Sequence, residues 1–273
     1  VEKVLSGEFG SEFETFFADQ FPQRNTWVGI NAYTTLAEGN NGASGVYNCK
    51  NGCLINKPVS TENNLDKNIG AVADFAKSID APTTVMLVPS TGYIADDVLP
   101  TFHDKYNDDE DISRISSTLS KNKIGFVDLR ERFKSEYKNG SQLYYKTDHH
   151  WTTKGAYTGY QELCKALGIT PIDDSTLKKD SYPDFYGTTY SSSGFWLTPP
   201  DNIEIWSNPN NSSKNISVKI TEGANIKTSG SMYFTDHLKE DDKYPVFIDG
   251  NHALTEITNT NAKNGTILLI KDS

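Results

Sequence analysis

The chain has 273 residues, 36 acidic and 26 basic side chains and a formal net charge of -10. That balance argues against nucleic acid as a partner, because binding it needs basic patches that displace counterions from phosphate. No apolar run approaches the ~20 residues that span a bilayer. The length suits one large domain or a core with an insertion. Asn, Tyr, Ser and Thr are plentiful while Met and Cys are scarce, a mix that leans toward a secreted bacterial protein. The chain opens on Val1 with no signal-peptide pattern, which is the expectation for a trimmed chain.

The opening segment EFETFFADQFPQRNTWVGINAYTTL carries Phe9, Phe13, Phe16 and Phe17 at helical spacing. It predicts one or two helices packed on a core and broken near Pro22. GVYNCKNGCLI reads as a hairpin across Asn51-Gly52. Its Cys49 and Cys53 either form a small disulfide or remain two inert thiols, and Cys164 reads as a buried small residue. Residues 61–79 predict an amphipathic helix with Leu65, Ile69, Val72, Ala73 and Ala76 on one face and Ser60 or Thr61 as cap. TTVMLVPS is a short apolar run without alternation, the pattern of a strand buried on both faces. A helix follows over about 109–121, then the second buried strand IGFVDL, then the helix RERFKSEYK ending at Asn139-Gly140. Thr152 or Thr153 can cap the next helix, and Gly168 suits its left-handed end. Strands alternating with helices predict an α/β domain with a mainly parallel sheet. From 173 to 245 the chain turns rich in Gly, Pro, Ser and Asn, with short alternating runs such as IEIW and ISVKI, which predicts a β-rich insertion. YPVFIDGNH and TILLIKDS close the chain.

The stretch YYKTDHHWTTKGAYTGY places two of the five histidines side by side behind an aspartate and ahead of a helix. Histidine takes and returns a proton near neutral pH, and an aspartate on its other ring nitrogen fixes the tautomer. Residues i and i+2 of an extended segment point the same way, so Asp148 and His150 would share a site with His149 turned away. A solvated loop or a helix cap is the plain alternative. The final run supplies a third member: Ser273 follows TILLIKD, just past the carboxyl end of an expected buried strand, where α/β sheets place reacting groups. Nucleophile, base and orienter are defined by geometry, so a serine that comes last in the chain is permitted.

These motifs together resemble the DHHW-motif proteins and the SGNH-hydrolase-like domains of alginate O-acetyltransferases, whose matching signature reads D-T-H-W. FETFFADQFPQRNTW resembles that family's F-F-x-D-x-F-P-x-R segment, GVYNCKNGCLI its G-V-Y-x-G-x-x-G-x-L hairpin, DKYPVFIDGNH its D-K-Y-x-V-F-x-G-G-N-H, and LLIKDS the strand ending in its D-S nucleophile turn. The resemblance spans nearly the whole chain with its motifs in order. It implies an α/β, SGNH-hydrolase-like three-layer domain with circularly permuted motif order, a mainly parallel sheet and a β-rich insertion. The expected division is an N-terminal helical segment and hairpin over 1–58, the first part of the core over 59–172, the insertion over 173–245, and a return strand ending at the nucleophile over 246–273. Relatives continue past the D-S serine, so the C-terminal part of the domain is expected to be missing from this sequence.

Carried over residue by residue, the resemblance implies Ser273 as nucleophile, His150 as general base and Asp148 as its orienter. His149 stands where the alginate enzymes have Thr, so its role stays open between substrate contact and none. The tetrahedral oxyanion formed on Ser273 needs donors: the Ser273 N–H is one and the Asn251 amide is a candidate second, with a turn residue after Gly250 as the alternative. Trp151 either stacks on a sugar or anchors its helix to the core. Ser90, with Pro89 and Thr91, follows the first buried strand and is expected at the same sheet edge, where Asp128 ends the second strand in a structural role. Phe195, Trp196 and Trp206 are weaker candidates for a glycan surface, and His252 is a binding or a solvated residue. The implied function is carbohydrate O-acetyl transfer or ester cleavage on a cell-surface or secreted polysaccharide, extracytoplasmic, without cofactor, with a membrane-bound acyltransferase as candidate acetyl donor. Two other readings stay open: a non-catalytic polysaccharide-binding or assembly module on the same fold, and a metal site from Asp148, His149, His150 and His252. No metal is expected, because adjacent histidines rarely ligate one ion and a second ligand cluster is not visible.

Overall fold

The computed structural model describes residues 21–59, 64–262 and 265–271. The Phe9–Phe17 segment, the cap candidates Ser60 and Thr61, and the pair Asp272 and Ser273 lie outside the described residues. Helix α1 (Arg24–Ala37) begins shortly after Pro22, as expected of a residue that cannot continue a helical hydrogen-bond ladder. Strands β1 (Gly42–Ala43), β2 (Val46–Asn48) and β3 (Leu54–Asn56) form an antiparallel sheet. Asn51 and Gly52 both adopt positive φ, 59° and 69°, which is the backbone a tight hairpin between right-twisted strands requires. Cys49 and Cys53 flank this turn as separate thiols. Burial pushes the Cys49 thiol up to about 12, so it is an inert group packed under the hairpin.

The centre of the domain is a three-layer unit. β4 (Thr84–Leu87) and β5 (Gly125–Asp128) pair in parallel, in register from Thr84↔Gly125 to Leu87↔Asp128. Alternate side chains of a strand point to opposite faces. Val85 and Phe126 therefore pack with Ala73 of α2 (Leu65–Ser78) and Leu119 of α4 (Asp108–Lys121), beyond the short α3 (Thr91–Ile94). Met86 and Val127 face the other way, against Phe133 of α5 (Arg130–Lys138), Trp151 and Leu163 of α6 (Thr153–Ala166). On α2, Ile69 and Ala73 are buried, while Val72 remains 39% exposed at the edge of the predicted face.

Two features depart from the sequence expectation. Among the described residues the parallel sheet has two strands, and the other three sheets are antiparallel. The expected core return segment over 246–273 is also divided. Its residues 254–259 form β10 (Leu254–Asn259), which pairs antiparallel with β8 (Ile216–Glu222) of the insertion rather than with β4 or β5. LTEITN mixes apolar with polar residues, which fits a half-exposed antiparallel edge and not a strand covered on both faces. The run Ile267–Ile270 is 69–73% exposed and outside any strand, since no described element covers it.

Between 173 and 245 the strands pair antiparallel. β6 (Lys178–Phe185) and β7 (Asp201–Ser207) form one antiparallel pair, linked through α7 (Thr188–Ser193). β8 joins β9 (Asn225–Ser229) and β10 in a second sheet. A register shift between Tyr182 and Phe185, with Asp184 at φ 61°, bulges β6. After β9 the chain folds back, and a 3-10 turn over Tyr244–Val246 inserts Val246 among Phe185, Ile203 and Tyr145. That contact brings the insertion onto the segment holding the two histidines.

Candidate active site

The DHHW stretch is a bent turn closed at its base by main-chain bonds. Tyr144 bridges Trp151, Tyr145 N–H donates to the His150 carbonyl at 3.2 Å, and Thr152 N–H donates to the Leu143 carbonyl at 2.8 Å. The Thr152 hydroxyl accepts from the Gly155 N–H at 3.1 Å and so caps α6, as its sequence position predicts. The turn's inner side hangs on Asp201 at the start of β7. Asp201 is buried and accepts from the Thr147 N–H at 2.8 Å, the Thr147 hydroxyl at 2.7 Å and the Gln142 amide at 2.8 Å.

Asp148 sits inside this frame, 1% exposed. Its Oδ1 accepts from His150 Nδ1 at 2.8 Å and from the His150 N–H at 3.2 Å. His149 Nδ1 lies 3.1 Å from the same oxygen. Thr188 adds its hydroxyl at 3.2 Å to Oδ1 and its N–H at 3.3 Å to Oδ2. Burial alone would push this carboxyl up, but the bonds from His149 and His150 and their charges outweigh it and hold it well below the usual carboxylate range. An ionised carboxylate only accepts, so in neutral His150 the proton resides on Nδ1 and Nε2 is the basic nitrogen. His150 Nε2 has no hydrogen-bond partner among the described residues. A buried carboxylate behind an imidazole whose far nitrogen is unengaged is the arrangement of a general base with its orienter.

The geometry corrects the expected placement of His149. The segment is bent rather than extended, so i and i+2 alternation fails, and His149 turns toward Asp148 instead of away. Its ring lies 3.9 Å from that of His150, and its Nδ1 is 2.8 Å from the Thr188 hydroxyl. The donor atoms of Asp148, His149 and His150 lie within 4.8 Å of one another. Both histidines meet Asp148 Oδ1 through Nδ1. His252, the fourth residue of that reading, is engaged elsewhere: Nδ1 meets Glu222 Oε1 at 2.9 Å and Nε2 donates to the Asp249 carbonyl at 3.0 Å.

The remaining candidates separate clearly. Trp151 packs into the cluster of Phe133, Leu129 and Val127, and a Cβ at Gly159 would come within 2.9 Å of its ring, so the indole anchors α6. Ser90 is occupied: its hydroxyl and N–H both donate to the Asp108 carboxylate, at 2.8 and 2.6 Å, which ties the loop after β4 to α4. Asp128 binds Arg130 through its side chain and accepts the Arg130 N–H, a structural role as expected. Asn251 is exposed after Gly250, and its Oδ1 accepts from Lys271 Nζ at 2.9 Å, on the segment that leads to Ser273. Phe195 is 1% exposed, a core residue rather than a glycan surface. Trp206 is half-buried, under Lys179 at 4.0 Å and bonded to Glu204.

Sequence reasoning missed four residues at this site: Thr188, Asp201, Gly187 and Tyr244, the last inside the DKYPVFIDGNH motif but given no role there. Gly187 is the one a pattern could have flagged, since glycine marks close backbone approach. A Cβ there would overlap the Asp148 carboxylate.

The comparisons with known proteins agree with this fold. Residues 55–183 match the family model described as SGNH hydrolase-like domain, acetyltransferase AlgX. No curated protein sequence matches the chain at a significant level. A DHHW family protein from Eubacterium siraeum is structurally similar, with TM-score 0.63 at 18% identity, covering 80% of this chain and 72% of that one. Bacillus cereus PatB1 with a sulfonyl adduct is similar at TM-score 0.62 and 18% identity, covering 79% and 74%. The O-acetyltransferase domain of Pseudomonas putida AlgJ is similar at TM-score 0.50 and 16% identity, covering 62% and 67%. No helix among the described residues is long and apolar enough to cross a membrane. Residues 55–183 thus match an SGNH hydrolase-like domain, and the fold of the chain is similar to those of these solved structures.

Proposed function

We propose that the chain carries the acyl-transfer centre of an extracytoplasmic carbohydrate O-acetyltransferase or acetylesterase. The observation that carries this reading is the 2.8 Å contact between buried, ionised Asp148 and His150 Nδ1, which leaves Nε2 to work as a base. The family match to an acetyltransferase domain supports the choice of acetyl ester as substrate.

In this reading Ser273 Oγ attacks the acetyl carbonyl carbon and its proton passes to His150 Nε2. The tetrahedral intermediate collapses, the donor's alkoxide leaves with the proton from His150, and the acetyl group stays on Ser273. A sugar hydroxyl, deprotonated by the same nitrogen, then takes the acetyl group; water in its place gives hydrolysis. Asp148 keeps His150 in the productive tautomer and stabilises the imidazolium at each transfer. Backbone N–H at Ser273 and the amide of Asn251 are the proposed oxyanion donors, and His149 is proposed to line the acceptor side because its ring is 43% exposed. The polysaccharide acceptor and a membrane-bound acyltransferase as acetyl source follow from the family resemblance.

Incubation of the protein with an aryl acetate, followed by mass spectrometry, tests the reading directly. The expected result is one added acetyl group mapped to Ser273, absent in Ser273→Ala. Full turnover by Ser273→Ala would overturn it.

A further inference from the structure

We propose that Tyr244 is a positioning residue for His150: its ring closes the second side of an aromatic sandwich whose first side is His149. The Tyr244 and His150 rings lie 4.0 Å apart at 15°, and the His149 and His150 rings 3.9 Å apart at 34°. The inference deepens the function proposed above, since it matters for turnover only if His150 is the base.

A hydrogen bond from Nδ1 to Asp148 fixes one atom of the imidazole. The second side-chain torsion of histidine is broad, so that bond alone leaves the ring plane free to swing and carries Nε2 with it. Two rings in contact with opposite faces remove that freedom. Tyr244 is itself held on several sides. Its N–H donates to Asp242 at 3.0 Å, Phe247 packs edge-on at 5.5 Å, and Phe185 lies beyond at 6.5 Å. Lys243 Nζ reaches the Pro183 and Asp184 carbonyls at the β6 bulge, at 3.2 and 2.7 Å, and so pins the turn to the insertion's first strand.

The titratable groups that face the His150 ring are Asp148, His149 and the Tyr244 phenol, with Tyr145 behind Asp148. Burial, then the charge of Asp148, raises the Tyr244 phenol far above its ordinary value. Tyr244 therefore stays neutral and offers His150 a π face, which favours the imidazolium formed during proton transfer. By this contact the β-rich insertion serves the base directly, in addition to any part in binding sugar.

The test uses the full chain with 15N- and 13C-labelled histidine. In the wild-type protein the His150 ring protons should be shifted upfield by the stacked phenol and show cross-relaxation to the Tyr244 ring. Absence of both would overturn the proposal whether or not any variant folds. In Tyr244→Leu the upfield shift should vanish and the single Nδ1–H tautomer should become a mixture. Aryl acetate turnover should drop ~10-fold in kcat with KM unchanged, because the ring holds the base and not the ester. Tyr244→Phe should restore the wild-type tautomer and kcat. Leu238→Ala, in the same apolar cluster, should lower stability without altering any His150 signal. Unchanged His150 spectra in Tyr244→Leu, or a Tyr244→Phe that behaves like Leu, would sink the idea. If the spectra change as expected while neither wild type nor variants turn over ester, the positioning role stands and the acyl-transfer reading falls.

Discussion

The molecule holds two sites at which two histidines gather around one aspartate, and they differ in what is left unengaged. At Asp148 the carboxylate is 1% exposed and its donors are imidazoles, a hydroxyl and backbone N–H groups. At Asp249 a lysine is added: Lys227 Nζ binds Oδ2 at 2.6 Å, His237 Nε2 binds Oδ1 at 2.9 Å, and His252 donates to the carbonyl. A permanent cation neutralises the second carboxylate, so it has little charge left to stabilise a transient imidazolium. Both nitrogens of His237 are used, on Glu240 and Asp249, and both of His252 on Glu222 and Asp249. His150, by contrast, keeps Nε2 without a partner among the described residues. The same residue types therefore leave a ring nitrogen unengaged in one place and form a surface lock in the other, and the deciding factor is which acceptors and cations surround the ring.

The sharpest way to break this comparison is to neutralise each aspartate. Asp148→Asn should lower aryl acetate turnover by ~10³–10⁴-fold, because an amide cannot hold His150 in the right tautomer. The matching Asp249→Asn should change turnover by less than about twofold. Equal losses at both sites would abolish the distinction. Next in size, Gly187→Ala drives a methyl into the Asp148 carboxylate and should cost ~10²-fold in kcat through displacement of His150, measured with the same ester. Thr152→Ala, which removes the α6 cap beneath the DHHW turn, should cost about 1 kcal/mol in denaturant unfolding and much less in turnover than Gly187→Ala.

The smallest expected effect is on pH dependence, and the two sites predict opposite signs. Asp148 is held below its unfolded value, so its stabilisation is present above about pH 4 and is lost only on acidification below that. His237 is raised, first by Glu240 and then by Asp249. Its contribution is complete below about pH 6.5 and is lost as pH rises through its raised folded value. Thermal unfolding against pH should therefore lose its alkaline slope in His237→Gln and keep its acid slope. Retention of the alkaline slope in that variant would show the Asp249 lock to be energetically silent.

Much of the central unit was legible because its determinants are local. The apolar runs at 84–87 and 125–128 gave the parallel pair, Asn51-Gly52 gave the hairpin, and Thr152 gave the helix start. Asp148 and His150 were legible as a pair because two residues of separation keep them within one turn. His149 was misplaced, since a bend in 146–150 cancels the alternation of an extended chain. Ser90 was misjudged because its hydroxyl partner, Asp108, comes from a helix that loop position does not reveal. The return segment was misread where β10 joined the insertion's sheet, a choice between competing strand edges that composition cannot rank.

Alone, the sequence determined the helix and strand periods, the turn chemistry and the proximity of an acid to an imidazole, all of which depend on backbone sterics and side-chain spacing over a few residues. The tertiary structure decided that Asp148 is buried and ionised, that Gly187 and Thr188 cradle it, that Asp201 fastens the turn, and that Tyr244 covers His150. Those outcomes require segments far apart in the chain to meet at atomic distance. The free energy of such meetings comes from packing and desolvation, which no local pattern encodes.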